Sequence, residues 1–152
     1  HFLGLTDQDS TLMVRMAVAG SLGTATGKRV FLPVSVFAGG SRNPFTSSHR
    51  EEPVDLRFPY FEKDEVTLHL PPGFEVETLP QKTKVELPQM ALYLTETSAS
   101  DQTITFKRTF IIANVLYMAD EYGKLKGFFD DVSEKDRAQA VLHPAAAAHI
   151  GQ

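Results

Sequence analysis

Through the first 112 residues apolar side chains recur at every second position, and from Met118 onward they recur at helical spacing. A strand turns alternate side chains to opposite faces, whereas a helix gathers positions three and four apart. This change of period therefore divides the chain into a long sheet-forming part and one closing helix. Leu12, Val14, Met16 and Val18 share one apolar phase. After a turn region containing Gly20, Gly23 and Gly27, Val30, Leu32, Val34 and Val36 form a second run expected to pair with the first. Pro33, on the opposite phase, has no N–H to donate and points to an edge position. Further runs are Val54, Leu56, Phe58 and Tyr60, then Val66, Leu68 and Leu70, then Phe74 and Val76 after the Pro71-Pro72-Gly73 turn. Val85 to Leu87 and Met90, Leu92 and Leu94 follow, and a strand from Ile104 and Phe106 to Ile112 suits the centre of a sheet. Turn signals roughly every 8 to 12 residues are the spacing of an antiparallel β-sandwich.

Met118, Tyr122, Leu125, Phe129 and Val132 define the apolar face of a helix near residues 118–136, with Asp120 and Glu121 where a helix dipole favours acids. Gly123 and Gly127 lie inside it, each costing about 1 kcal/mol relative to Ala, so its stability must come from packing on the sheet. A short strand is expected at Gln139 to Leu142. The predicted unit is a single all-β-dominated domain over residues 1–142, an antiparallel sandwich with one C-terminal amphipathic helix packed on it. The Ala-rich tail 143–152 has no partner pattern and is expected to fray.

A 42% hydrophobic and 22% charged composition is that of a globular chain, and 152 residues suffice for a real core. The net charge of −4, with no Lys/Arg cluster, argues against nucleic-acid binding. The chain has no Cys, so thiol catalysis, Cys-based zinc sites and disulfides are excluded. No apolar run reaches the roughly 20 residues of a membrane helix. An opening at His1 rather than Met reads as a piece of a longer polypeptide.

Motif by motif, no catalytic constellation assembles. Gly27-Lys28 lacks the first glycine and the Ser/Thr of a phosphate loop, and a strand rather than a helix is expected to follow. Ala19-Gly20-Ser21-Leu22-Gly23 imitates a nucleophile elbow, but without the succeeding helix Ser21 has no oxyanion-hole amide. His1, His49, His69, His143 and His149 have no metal-binding spacing, and His69 falls on the polar phase of its strand. Glu51-Glu52 and Asp130-Asp131 are adjacent pairs that diverge on any regular element, which makes acid–base work by either unfavourable. No catalytic, cofactor-binding or metal-ligating residue is assigned. Arg108 shares the apolar phase of Ile104 and Phe106, so a bulge or a structural ion pair is expected there. The candidate interaction loop carries Arg42, Asn43, Phe45, His49 and Arg50, able to contact a glycan, a peptide or a neighbouring domain. The competing expectation is a solvated connection with Phe45 tucked into the core.

Asn43-Pro44-Phe45, Arg50 to Asp55, Leu70-Pro71-Pro72-Gly73-Phe74-Glu75-Val76-Glu77 with Leu79-Pro80, Arg108, and Tyr122 to Phe129 occur in an order that resembles a family of bacterial domains of unknown function. Members of that family follow a transglutaminase-like domain at the C-terminal end of multidomain proteins. The resemblance implies a β-sandwich without activity of its own, downstream of a domain with a papain-like Cys, His and Asp site. It also implies a periplasmic or otherwise extracytoplasmic location. The leading functional expectation is a non-catalytic accessory domain that packs on and orients the upstream catalytic-type domain, with an apolar patch exposed on the isolated fragment. The alternative is a carbohydrate or cell-wall-peptide binding module using the Arg42–Arg50 loop with Phe31, Phe37 or Tyr93. The absence of Trp, the usual sugar platform, weighs against it.

Overall fold

The computed structural model describes residues 2–3, 13–14, 20–38, 40 and 42–145. The strands are β1 (Phe2–Leu3), β2 (Met13–Val14), β3 (Thr24–Thr26), β4 (Arg29–Pro33), β5 (Val54–Asp55), β6 (Tyr60–His69), β7 (Phe74–Thr78), β8 (Thr83–Leu87), β9 (Ala91–Ser100), β10 (Thr103–Ile112), β11 (Leu116–Tyr117) and β12 (Gln139–Pro144). A 3₁₀ turn, Ala119–Glu121, leads into the helix α1, Tyr122–Lys135. Two antiparallel four-stranded sheets have the orders β6-β10-β9-β8 and β3-β4-β12-β7, and β5 with β11 and β1 with β2 form two-stranded pairs.

Strand β10 lies inside its sheet, paired along its full length with both β6 and β9. Its even-numbered residues Ile104, Phe106, Arg108, Phe110 and Ile112 are all buried on one face. Two different layers cover that face. At one end Ile104 and Phe106, with Leu68, meet Ala140 and Leu142 of the second sheet, which makes the sandwich. At the other end Phe110 and Ile112 meet Tyr122, Leu125, Phe128, Phe129 and Val132 of α1. The expected sandwich with a packed C-terminal helix is the observed fold.

Local details depart from the sequence reading where turn chemistry overrides alternation. The run Val54 to Tyr60 is not one strand: Arg57 adopts a positive φ of 71°, which ends β5 after Asp55 and leaves Phe58 exposed. In β9 the buried phase is Ala91, Tyr93 and Thr95, not Met90, Leu92 and Leu94. The aromatic ring of Tyr93 and the small Ala91 fit the helix-covered layer, while Leu92 and Leu94 lie half-buried on the outer face. Strand β4 is internal, between β3 and β12, so Pro33 does not mark an edge strand. It is tolerated because β3 pairs only as far as Phe31 and Pro33 ends its strand beyond that reach. The partners of β4 are β3 and β12, not the run Leu12 to Val18, most of which lies outside the described residues.

Met118 precedes the helix instead of joining its apolar face, and the Glu121 carboxylate accepts its backbone N–H at 2.9 Å. Phe128 takes a buried place that the periodicity missed. His143 and Pro144 belong to β12, opposite Glu75 and Phe74, so the ordered chain extends past Leu142. The expected fraying of the tail concerns residues 146–152, outside the described residues.

Candidate functional site

The segment 42–50 is fastened to the helix from several points. Asn43 Nδ2 donates to the Lys126 carbonyl at 3.0 Å and to Asp130 Oδ1 at 2.7 Å, while Asn43 Oδ1 accepts the Phe45 N–H at 2.8 Å. Phe45 is buried, its ring edge-on to Phe129 at 5.0 Å and to Tyr122 at 6.0 Å between centroids. Tyr122 Oη donates to the Ser47 carbonyl at 2.8 Å, and the Arg50 guanidinium lies 5.5 Å from the Tyr122 ring centre. Of the five loop candidates, Asn43 and Phe45 are thus structural fasteners, and Arg42, His49 and Arg50 are exposed. Phe37 is 76% exposed, Phe31 is half-buried, and Tyr93 is fully buried, which removes Tyr93 as a stacking platform.

The densest polar arrangement sits where the two covers of the long sheet meet. Arg108, only 5% exposed, points inward without any bulge in β10. Its Nε donates to Asp136 Oδ1 at 3.0 Å, and its Nη1 donates to Glu62 Oε2 at 3.0 Å and Asp64 Oδ2 at 2.9 Å. Asp136, just past the end of α1 and 1% exposed, also accepts from Tyr93 Oη at 2.8 Å and from Ser35 Oγ at 3.3 Å. The guanidinium lies 5.2 Å from the Phe110 ring centre and 5.6 Å from that of Tyr93. Of the two expectations for Arg108, the structural ion pair is the one observed.

Electrostatics act on Arg108 and on the two tyrosines near it. Burial works against the Arg108 charge, but bonds to Glu62, Asp136 and Asp64 outweigh it and hold the guanidinium above its ordinary value. Burial, then the bond to Asp136, raises the Tyr93 phenol, so it remains a hydrogen donor. Burial, then nearby Glu62, pushes Tyr60 up to about 12. Asp136 Oδ1 accepts from Arg108, Tyr93 and Ser35 at once, the geometry of a structural brace. The cluster ties sheet, helix end and second sheet together.

Sequence reading found Arg108 but not its partners. Glu62 and Asp64 do share the inward phase of Val66 and Leu68 on β6, a legible signal, whereas nothing near Asp136 distinguishes it from an ordinary helix-terminal carboxylate. The other motifs take structural places. Gly27 supplies a φ of 61° in the β3–β4 turn, and Ser21 Oγ donates to the Gly23 carbonyl at 3.3 Å in a segment followed by strand. Asp130 pairs with Lys126 at 2.7 Å, and His69 and the Glu51-Glu52 pair are exposed.

Among the clefts lined by the described residues, two border residues already named. One, about 570 Å³, lies between the sheets and is lined mainly by apolar residues such as Val30, Leu32, Leu68 and Phe74, with Ser21 and His69 among its polar groups. A second, about 470 Å³, runs beside Ser35, Val36, Asp136 and Arg137. Among the described residues no group of three or more His, Asp or Glu is placed to hold a metal ion.

A β-sandwich braced by a helix and an internal ion-pair cluster is the class of domain that these features define. The chain belongs to the DUF3858 family, a domain of unknown function with a solved structure, whose match covers residues 28–142. Among solved structures it is similar to a proposed protease from Parabacteroides distasonis ATCC 8503, with a TM-score of 0.57 and 16% identity over 65% of this chain. The matched region spans 19% of that much longer chain, and the likeness at this identity is one of fold. No curated protein matches the chain.

Proposed function

We propose that this domain is a non-catalytic accessory module of a larger transglutaminase-like bacterial polypeptide, packing on and orienting a catalytic-type domain that precedes it. The observation that carries the reading is one of proportion: a similar fold occupies 19% of a longer chain described as a proposed protease. The internal chemistry agrees with it. Arg108, Asp136, Tyr93 and Ser35, four buried side chains with polar groups, are engaged with one another rather than turned to a substrate. The resemblance to domains that follow a transglutaminase-like domain extends the proposal to a polypeptide that works outside the cytoplasm.

Translating the coding DNA upstream of His1 tests this directly. A Cys followed by His and Asp at papain-like spacing is the expected result; a stop codon and a start signal immediately before His1 sink the accessory reading.

A second reading, a carbohydrate or cell-wall-peptide binding module, draws support from Phe37, exposed near Arg42 in sequence, and from exposed His49 and Arg50. It requires binding on a glycan or muropeptide array that weakens in Phe37→Ala; an array without signal removes it.

A further inference from the structure

We infer that Glu62 and Asp64 keep the open edge of the long sheet from pairing with a second copy of this chain. The observation that carries the inference is a surplus of charge in the Arg108 cluster. One guanidinium is met by three carboxylates, those of Asp136, Glu62 and Asp64. Asp136, 1% exposed, already supplies the countercharge, its Oδ1 accepting from Arg108 Nε at 3.0 Å and its Oδ2 from Nη2 at 3.4 Å. Glu62 and Asp64 then share the one remaining nitrogen, Nη1, at 3.0 and 2.9 Å. Neutralising the buried cation takes one carboxylate, so the other two answer to something else.

Their place in the fold supplies it. β6 runs for ten residues, Tyr60–His69, and pairs along its whole length with β10; on its other side no strand lies among the described residues. The remaining edges of the two four-stranded sheets, β8, β3 and β7, have five, three and five residues. A long row of unpaired N–H and C=O groups is a template for another strand. Tyr60 and Phe61 at one end, and Val66, Thr67 and Leu68 towards the other, give β6 the composition that strands favour, with no Pro or Gly to interrupt it. What breaks it is the run Glu62-Lys63-Asp64-Glu65, in which Glu62 and Asp64 take the inward phase of Tyr60, Val66 and Leu68.

With side chains 52% and 32% exposed, the two carboxylates keep part of their hydration. A strand added to β6 would lay its own side chains beside them and remove that water, leaving both to depend on one Nη1. If the added strand were the β6 of a second copy, antiparallel and centred on the charged run, carboxylates would also face carboxylates, which cross-strand pairing penalises. The lysines of β6 and β10 do not offset this. Lys63 and Lys107 stand on the opposite phase, Lys107 already 3.7 Å from Glu65. An inward-turned charge on an edge strand thus tolerates the neighbour that neutralises it and refuses the next.

Light scattering and hydrogen exchange on the 152-residue chain test this. From about 10 μM to about 1 mM the unchanged chain is expected to show neither a rise in mass nor gained protection at residues 60–69. Glu62→Thr/Asp64→Thr leaves Arg108 its Asp136 countercharge. Over the same range it is expected to raise the mass about twofold or more, with protection gained at residues 60–69. Glu62→Asp/Asp64→Glu, which keeps both charges, should behave as the unchanged chain does. Where the Thr variant loses its circular dichroism signal, the closer-shaped Glu62→Gln/Asp64→Asn decides in its place. A folded charge-free variant that stays a single copy overturns the inference, and so does association that protects other residues instead. Association of the unchanged chain through β6 overturns it by showing an unguarded edge. Loss of folding in both charge-free variants overturns it by assigning the two carboxylates to stability alone.

Discussion

The helix-covered half of the long sheet and the half covered by the second sheet are filled with different side chains. Under α1 the interior is largely aromatic, with Phe45, Tyr93, Phe110, Tyr117, Tyr122, Phe128 and Phe129. Between the sheets it is mainly aliphatic, with Val34, Leu68, Leu70, Ile104, Ala140 and Leu142 around the ring of Phe106, and Phe74 packed at the margin. Two facing sheets interdigitate short branched side chains across a uniform gap. A lone helix covers a sheet with a ridge, and rings are needed to reach sideways from it. Phe110 accordingly meets Tyr60, Tyr93, Phe128 and Phe129 at centroid distances of 5.5, 6.3, 6.0 and 5.8 Å. Arg108 stands between the two halves, so one buried cation separates two kinds of packing.

The seam itself should be the most sensitive point. Arg108→Ala is expected to cost about 3–5 kcal/mol in denaturant unfolding, because it leaves Asp136 buried without its countercharge. Replacing both charges, Arg108→Met with Asp136→Leu, should recover part of that loss, the remainder reflecting the Tyr93 and Ser35 hydroxyls left without their acceptor. If the double variant is no better than the single one, the cluster is more than a neutralised pair.

The two halves should then differ in what truncation does. Phe110→Ala is expected to remove about 3–5 kcal/mol, whereas Ile104→Val, the mildest probe of the inter-sheet half, should remove about 0.5–1.5 kcal/mol. Equal losses in thermal denaturation would erase the distinction between a ring-filled and a branched interior.

Gly127 offers a gain in place of a loss. A Cβ built there meets nothing within 4 Å, and its φ is not positive, so Gly127→Ala should raise stability by about 1 kcal/mol through helix propensity alone. A destabilised Gly127→Ala protein would mean that the helix is held by more than its apolar face.

The smallest effect concerns the latch between loop and helix. Lys126 first, and Asn43 second, hold the Asp130 carboxyl below the usual carboxylate range. A depressed folded-state value means that the associated stabilisation is present above the unfolded pKa and is lost as pH falls through the folded one. In an NMR titration Asn43→Ala should move the Asp130 midpoint upward while leaving the fold intact. An unmoved midpoint would show that the loop is not fastened through this pair.

Much of this architecture was legible in the alternation. The inward phase of β10, the Pro71-Pro72-Gly73 turn with Gly73 at a φ of 83°, and the helix with Tyr122, Leu125, Phe129 and Val132 buried all follow from period and turn chemistry. The misread places have local causes. Nothing in the one-dimensional pattern announces that Arg57 takes a left-handed conformation, so alternation alone carries a strand through it to Tyr60. In β9 both phases carry apolar residues, and the decision for Tyr93 over Leu92 belongs to the helix that packs on that face. Among the loop candidates, Phe45 is the one whose burial the sequence foresaw as an alternative, since a lone aromatic in a polar loop has a core to gain.

By itself the sequence determined the element types, the turn positions and the presence of a charge on a buried phase, because these depend on side-chain periodicity and on residues near one another in the chain. The tertiary structure alone decided which carboxylates neutralise Arg108. It also decided which face of β9 is inner and that Phe58 and Met118 remain exposed. Asp136 lies 28 positions from Arg108 and Glu62 lies 46, and such partners are selected by how layers stack. The desolvation of a charge becomes a constraint only once the helix and second sheet have closed over it.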